Sequence, residues 1–374
     1  MVKPYYIDRH VTVYNKSCTS MDELPDESVQ MCVTSPPYWG LRKYSGNQDL
    51  LWGNHNGCEH EWISKTRRLH GGTVTTAQVG SVLSGAAPTD WVEQDNICSL
   101  CGAWRGSFGL EPTPGMYVSH SIEILREIRR VLRKDGVVFW NVGDSYAGSG
   151  GPGSQYDNKA TFEKFHNPNR KITSCKPKDL CLIPFRVAIA AQEDGWWVRS
   201  VIIWDRPNAM PESVKDRPTE SHEYILMLTK SANYYWNQEA VREPLAEATI
   251  TDPRMGMDRF EHNGKTAIRE AETNGKEMCN SFWFADNKGR NVRSVWSFPT
   301  HPYPEAHFAT FPEELPKRCI KAGSKEGDIV LDPFAGSGTS LWVAKRLGRK
   351  AVGYELSSEY CELIIKRNRQ QVML

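Results

Sequence analysis

At 374 residues, 39% hydrophobic and 24% charged, the chain has the composition of a soluble globular protein with enough core for one large or two ordinary domains. A net charge of +1 gives no global attraction to nucleic acid, so any DNA-binding surface has to be local. Ten cysteines with no secretory leader over Met1 to His10 point to reduced thiols or a metal site, and no apolar run approaches the roughly 18 residues of a membrane span, so a cytoplasmic protein without membrane partners is expected.

In chain order, Val11 to Tyr14 alternates like a strand and 20–24 makes a short helical turn. The β-branched run 29–33 then reads as a buried strand. It stops at Thr34-Ser35-Pro36-Pro37-Tyr38-Trp39-Gly40, because neither Pro36 nor Pro37 has an N–H for a sheet ladder. Ser35 Oγ and the Pro36 carbonyl can together accept hydrogen bonds from an –NH₂ group, and Tyr38 offers a flat face for a planar base. Read alone, the same residues equally describe a strand, a Pro-Pro turn and a core tyrosine.

A polar stretch follows over 46–110, and 75–88 within it is too rich in Gly, Ala, Ser and Thr to build a core. Cys98-Ser99-Leu100-Cys101-Gly102 is half of a zinc knuckle, and Cys58 and His60 are the best second pair, with His55 and His70 in reserve. Such a zinc is structural, with all four positions filled, and Trp62, Trp91 and Trp104 are expected to pack around it. The competing reading is a reduced or redox-active cysteine pair.

The spacing of Ile122, Leu125, Ile128 and Leu132 predicts a helix over 119–134, stopped by Asp135-Gly136, with Arg126, Arg129, Arg130, Arg133 and Lys134 on a solvated face, contact with phosphate being the alternative. A buried strand is expected over 137–140, with Asn141 to Ser145 at its C-terminal edge. A mobile loop is expected over 147–178, a helix over 183–192, and strands over 196–204 and 223–228. Near the C-terminus, a strand at 329–332 runs into Gly336-Ser337-Gly338, a helix over 341–347 and a second strand over 351–354 ending at Glu355. The glycines let backbone approach a ligand, and the helix N-terminus favours a carboxylate or phosphate. Leu341, in place of a third small residue, speaks against an NAD fingerprint.

Taken together, Ser35-Pro36-Pro37-Tyr38 and Asp332-Pro333-Phe334-Ala335-Gly336-Ser337-Gly338-Thr339 resemble the catalytic and cofactor motifs of the DNA amino-methyltransferases. Catalytic motif first and cofactor motif last is the order of that family's β class. The resemblance implies an α/β Rossmann-like sheet in permuted motif order over a single catalytic domain, 1–374. Two insertions interrupt it: the zinc segment at 46–110 and a candidate target-recognition region at 237–305. It implies S-adenosylmethionine as cofactor, held by Thr34, Phe311, Asp332, Phe334, Gly336, Ser337, Gly338, Thr339 and Glu355, and double-stranded DNA as partner in a bacterial or phage setting. A homodimer and a cognate restriction endonuclease stay open as further partners. It also implies a target-base loop carrying Asn208, Pro211, Ser213 and Arg217, and basic recognition residues Arg254, Arg259, Lys265, Arg269, Lys288, Arg290 and Arg293, with aromatics such as Trp283 among them.

One departure stands out: Lys16 occupies the place of an acidic residue expected near the cofactor's adenine. Serine before Pro-Pro favours N4 of cytosine as the methylated atom, with Trp39 filling the space that a pyrimidine leaves. N6 of adenine is the alternative, and an inactive DNA-binding protein is a third reading that Lys16 keeps alive. No Pro-Cys pair occurs in the sequence, which argues against carbon-5 chemistry.

Overall fold

The structure, a computed structural model of the chain, describes residues 2–40, 48–53, 57–68, 90–147, 175–244, 289–300 and 312–369, with 63–68 and 90–95 described as backbone. Its strands are β1 (Tyr6–Ile7), β2 (Val11–Tyr14), β3 (Val29–Thr34), β4 (Leu50–Trp52), β5 (Trp62–Arg68), β6 (Asp90–Cys98), β7 (Trp104–Gly106), β8 (Leu132–Val142), β9 (Trp197–Asp205), β10 (His222–Thr229), β11 (Val295–Ser297), β12 (Ile329–Asp332) and β13 (Lys350–Tyr354). Its helices are α1 (Pro114–Val131), α2 (Ile183–Glu193), α3 (Glu314–Gly323), α4 (Thr339–Arg346) and α5 (Ser358–Arg369). Contacts divide the chain into two units, Met1–Pro36 with Leu125–Gly143 and Ala191–Leu374, and Pro37–Ile124 with Asp144–Ala190. The division after Pro36 falls inside the Ser-Pro-Pro-Tyr element.

Among the described residues, the first unit holds a nine-stranded sheet in the order β1-β2-β13-β12-β3-β8-β10-β9-β11. β2, β13, β12, β3 and β8 pair in parallel, whereas β10 is antiparallel to both β8 and β9. A central parallel strand is covered on both faces, which explains why β3 is buried along its whole length and reads as a nearly unbroken apolar run. Met31 and Val33 of β3, Val137 and Phe139 of β8, and Val330 of β12 form one core with Leu341 of α4. Each such side chain stabilises the fold by roughly 1.5–3 kcal/mol through burial.

The helix predicted over 119–134 is α1, and its bounds differ. It starts at Pro114, whose fixed φ and missing N–H suit a first turn. It ends before Leu132, which instead leads β8 and pairs with Val29, so Asp135 and Gly136 lie within the strand. Arg130 is not on a solvated face: it donates to Glu127 and Asp26 and to the carbonyls of Met21 and Leu24, clamping the turn that follows β2. The structure also adds α5, beyond the elements that periodicity indicated.

In the second unit, β4-β7-β6-β5 form an antiparallel sheet. The described parts of the 46–110 stretch gain a core from aromatics: Trp52, Trp104 and Phe108 are buried, and Trp52 packs against Phe108. Residues 75–88 lie outside the described residues, as do 148–174 of the expected loop. Among the described residues, no helix is long and apolar enough to cross a membrane.

Candidate active site

The parallel strands β2, β13, β12, β3 and β8 bring their C-terminal ends to one edge of the sheet, where open α/β sheets bind ligands. Glu355, Asp332, Ser35 and Asn141 therefore stand along that edge. Because β10 runs antiparallel, its first residues, His222 and Glu223, reach the same edge.

Asp332 is buried at the end of β12. It accepts hydrogen bonds from Thr34 Oγ1 at 2.6 Å, from the Phe334 N–H at 3.1 Å and from the Ser340 hydroxyl. Burial pushes its carboxyl pKa up to about 6, against the pull of these donors. Glu355, one strand over, accepts from the Ser357 N–H at 2.8 Å and the Gly336 N–H at 2.9 Å. Burial pushes its pKa up to about 7, against both backbone donors and helped by the Asp332 charge.

Gly338, at the N-cap of α4, has φ +77°, and a Cβ there would meet Ile364 Cγ1 at 2.9 Å. Glycine is thus required twice, by conformation and by space. At Gly336 an added Cβ would meet nothing nearer than the Phe334 carbonyl at 3.9 Å, so that side of the loop is open. Phe334 meets Trp140 edge-on with centroids 6.1 Å apart. Ser337 and Thr339 are buried, and the Thr339 hydroxyl accepts from Arg367 at 3.0 Å, which joins the loop to α5. Phe311 lies outside the described residues.

Ser35 follows directly on β3. Its Oγ stands 3.4 Å from Asn141 Nδ2, which also donates to Glu223 Oε2 at 3.0 Å. A carboxylate only accepts, so it is the amide nitrogen of Asn141 that faces Glu223 and Ser35. Arg206 donates to the other Glu223 oxygen at 2.9 Å. Sequence reasoning placed Asn141 at the edge but missed Glu223 and Arg206. The available signal was a carboxylate at the start of an apolar strand.

In the second unit, the Pro37 carbonyl accepts from the Tyr117 hydroxyl at 3.0 Å. Trp39 is buried, and its indole N–H donates to the Glu111 carbonyl at 3.0 Å. Lys16 pairs with Glu23 at 2.8 Å, and Glu23 also accepts from the Tyr354 hydroxyl at 3.3 Å. An acidic group therefore does stand beside the end of β2, supplied from the following turn.

Cys58, His60, Cys98 and Cys101 come together, with their ligand atoms all within 4.8 Å of one another. Cys58 Sγ lies 3.9 Å from Cys98 Sγ, and Cys101 Sγ lies 3.4 Å from His60 Nδ1. Ligands about 2.3 Å (S) and about 2.0 Å (N) from one tetrahedral zinc stand about 3.8 Å (S to S) and about 3.5 Å (S to N) apart. The residues fit. Trp62 lies against His60 at 5.4 Å, whereas Trp104 stacks on His120 instead, and the Trp91 side chain, His55 and His70 lie outside the described residues.

Of the expected recognition residues, Arg290 and Arg293 both pair with Glu243, at 3.2 and 3.4 Å. Arg254, Arg259, Lys265, Arg269, Trp283 and Lys288 lie outside the described residues. In the expected base loop, Asn208 exchanges hydrogen bonds with the Thr300 backbone at 3.0 Å, and Arg217 pairs with Glu212 at 2.7 Å.

The family model described as DNA methylase (N6_N4_Mtase) matches residues 29–366, from the first residue of β3 into α5. The chain belongs to this DNA methylase family. Among its relatives, the type II methyltransferase M.Cfr9I of Citrobacter freundii is 36% identical over 92% of this chain and 82% of its own length. The type II methyltransferase M.SmaI of Serratia marcescens is 35% identical over 92% of this chain and 85% of its own. Among solved structures, the PvuII DNA methyltransferase, described as cytosine-N4-specific, matches with a TM-score of 0.56 at 15% identity over all of this chain and 90% of that one. That likeness establishes the methyltransferase fold. The matched span of this DNA methylase takes in both Ser35-Pro36-Pro37-Tyr38 and the Asp332 loop.

Proposed function

We propose that this DNA methylase transfers the methyl group of S-adenosylmethionine to the exocyclic amino nitrogen of a base flipped out of double-stranded DNA, N4 of cytosine. The observation that carries this reading is the 2.6 Å Thr34–Asp332 hydrogen bond, which joins residues 298 apart in sequence. It ties the strand that delivers Ser35 to the strand that opens the glycine loop, setting an amine-binding element beside a cofactor-binding one.

The cofactor supplies an electrophilic sulfonium methyl. Glu355 is suited to accept from ribose hydroxyls, and the Gly336–Gly338 backbone with the α4 N-terminus to hold a carboxylate. Gly336's open side gives the room. The buried carboxylate of Asp332 favours the cationic end, and Phe334 supplies apolar surface. An exocyclic amine is a poor nucleophile because its lone pair is delocalised into the ring. Asn141 donates into Ser35 Oγ, so the serine's own proton points elsewhere. Ser35 Oγ and the Pro36 carbonyl would accept the two amine hydrogens, which holds the lone pair on the nitrogen, and the proton that the methylated amine sheds would leave to water along the Ser35 hydroxyl. Tyr38 stacks on the flipped base, and rate comes mainly from positioning. Serine before Pro-Pro supports the choice of cytosine, alongside the named specificity of the PvuII enzyme. Residues 237–305 are proposed as the recognition region, and Cys58, His60, Cys98 and Cys101 as the ligands of a structural Zn²⁺.

Mass spectrometry of nucleosides from DNA incubated with protein and S-adenosylmethionine is expected to show N4-methylcytosine. N6-methyladenine alone would overturn the base choice, and an unmethylated digest would overturn the activity. Cofactor binding carries a further expectation. A carboxyl raised to about 7 is ionised above that pH and protonated below it, and only the ionised form accepts from both ribose hydroxyls. Affinity measured by calorimetry should therefore fall as pH drops below about 7, toward about tenfold per unit, with proton release on binding. Glu355→Gln should flatten that dependence at a weaker affinity, and a profile unchanged by the substitution would remove Glu355 from the cofactor site.

A further inference from the structure

The Ser-Pro-Pro-Tyr element does not end in open loop. Gly40 N–H donates to the Gly109 carbonyl at 2.8 Å, and Trp39 donates to the Glu111 carbonyl. Gly109 has φ +92°, and a Cβ on it would stand 3.0 Å from Pro37 Cβ and 3.1 Å from the Tyr38 carbonyl, so the two backbones are in contact. Gly109 N–H in turn donates to Glu111 Oε2 at 2.9 Å. The Glu111 side chain is fully buried, and its other oxygen meets His120 Nδ1 at 3.0 Å. The His120 ring stacks on both Trp52 and Trp104, cross-strand partners of β4 and β7, with centroids 4.5 and 5.7 Å away. Trp104 opens β7, which starts where the Cys98–Cys101 turn ends. That turn is closed by Gly102 N–H on the Cys98 carbonyl at 3.0 Å and by Cys98 N–H on the Ala103 carbonyl at 2.7 Å.

We propose that the Cys58/His60/Cys98/Cys101 metal site, Trp104 and the buried His120–Glu111 pair form one continuous support for Pro37–Gly40, so that the base-holding half of the catalytic loop depends on bound metal. The proposal rests on reading Ser35–Tyr38 as the catalytic loop and the cluster as a zinc site. Every contact in the chain lies within one unit, and each link is directional. With the cluster filled, the turn is rigid and β7 holds Trp104 flat against His120. The imidazole then keeps Nδ1 on Glu111, and Glu111 keeps Gly109 against Pro37 and Tyr38. A buried carboxylate without its histidine would turn toward water and release Gly109. Glu111 and His120 act through the loop without touching substrate, which makes them positioning residues.

The test uses the full-length protein with S-adenosylmethionine and substrate DNA, reading zinc content, cofactor affinity, kcat and KM. His120→Phe keeps a ring against the two tryptophans but loses the bond to Glu111. It is expected to keep about one zinc per chain and wild-type cofactor affinity while kcat falls on the order of tenfold to a hundredfold. Cys101→Ser is expected to lose zinc and show the same split. Glu111→Gln, which keeps an oxygen for the Gly109 N–H, should lose less than Glu111→Leu. Wild-type kcat in His120→Phe overturns the proposal. So does a zinc-free Cys101→Ser that methylates normally, and if that variant fails to fold, His120→Phe decides. Metal-free native protein ends the zinc reading and with it the proposed dependence. Ser35→Ala run alongside separates these outcomes: normal turnover there means that the catalytic-loop reading itself has failed.

Discussion

Ser35→Ala is expected to lower turnover on the order of a hundredfold or more while leaving cofactor affinity unchanged, with Tyr38→Ala losing turnover as well. Ser35 Oγ sits at the end of a strand buried along its whole length, so the backbone that presents it does not move when the hydroxyl is removed. In the proposed site, what is lost is one of the two acceptors that grip the amine, together with the acceptor of the Asn141 amide. Asn141 still has Glu223 to bond, which limits the structural cost of the truncation. In the proposed site Tyr38 stacks on the flipped base, so its removal should raise the KM for DNA as well as lower kcat. Single-turnover methylation with separate cofactor titration distinguishes these effects. Wild-type methylation by both variants would sink the assignment of the loop.

The two elements that identify this chain were legible because their chemistry is local. Two prolines end β3 whatever surrounds them, and glycines at 336 and 338 mark positive φ values that few other residues adopt. The Cys58, His60, Cys98 and Cys101 cluster was legible for the same reason, each half being a short motif with its own spacing. Asn141, Glu223 and Arg206 meet only because β8, β10 and β9 pair in one register, with Ile225 opposite Asn141 and Asp205 opposite His222. No spacing in the sequence encodes that register. The helix boundary at Leu132 failed for a different reason. Its apolar side chain continues the helical spacing of α1, yet the residue pairs with Val29 in the sheet, so tertiary pairing overrode periodicity. Lys16 misled in the opposite sense. A carboxylate does reach that strand end, Glu23, seven residues further on, where the turn clamped by Arg130 returns it to pair with Lys16.

Asp332→Ala is expected to cost on the order of 3 kcal/mol of stability and to weaken cofactor binding. The carboxylate collects donors from three elements: Thr34 of β3, Phe334 of the glycine loop and Ser340 of α4. Truncation leaves two buried hydroxyls without this acceptor, at about 1–3 kcal/mol each before relaxation. Part of that loss is offset, because burial already works against the ionised carboxyl, as its rise to about 6 shows. The sign follows from that rise. A carboxyl raised in the folded state favours folding fully below its unfolded value and loses that contribution as pH climbs through about 6. The penalty of Asp332→Ala should therefore be larger at pH 5 than at pH 8. Asp332→Asn keeps an oxygen for Thr34 and Phe334 and presents an amide that Ser340 Oγ can accept, so it should retain most of the stability while losing the charge. Thermal unfolding of the three proteins at both pH values checks the argument, with a drop of several degrees expected for Asp332→Ala. An alanine variant as stable as wild type at pH 5 would show that the Thr34–Asp332 link does not hold the two strand ends together.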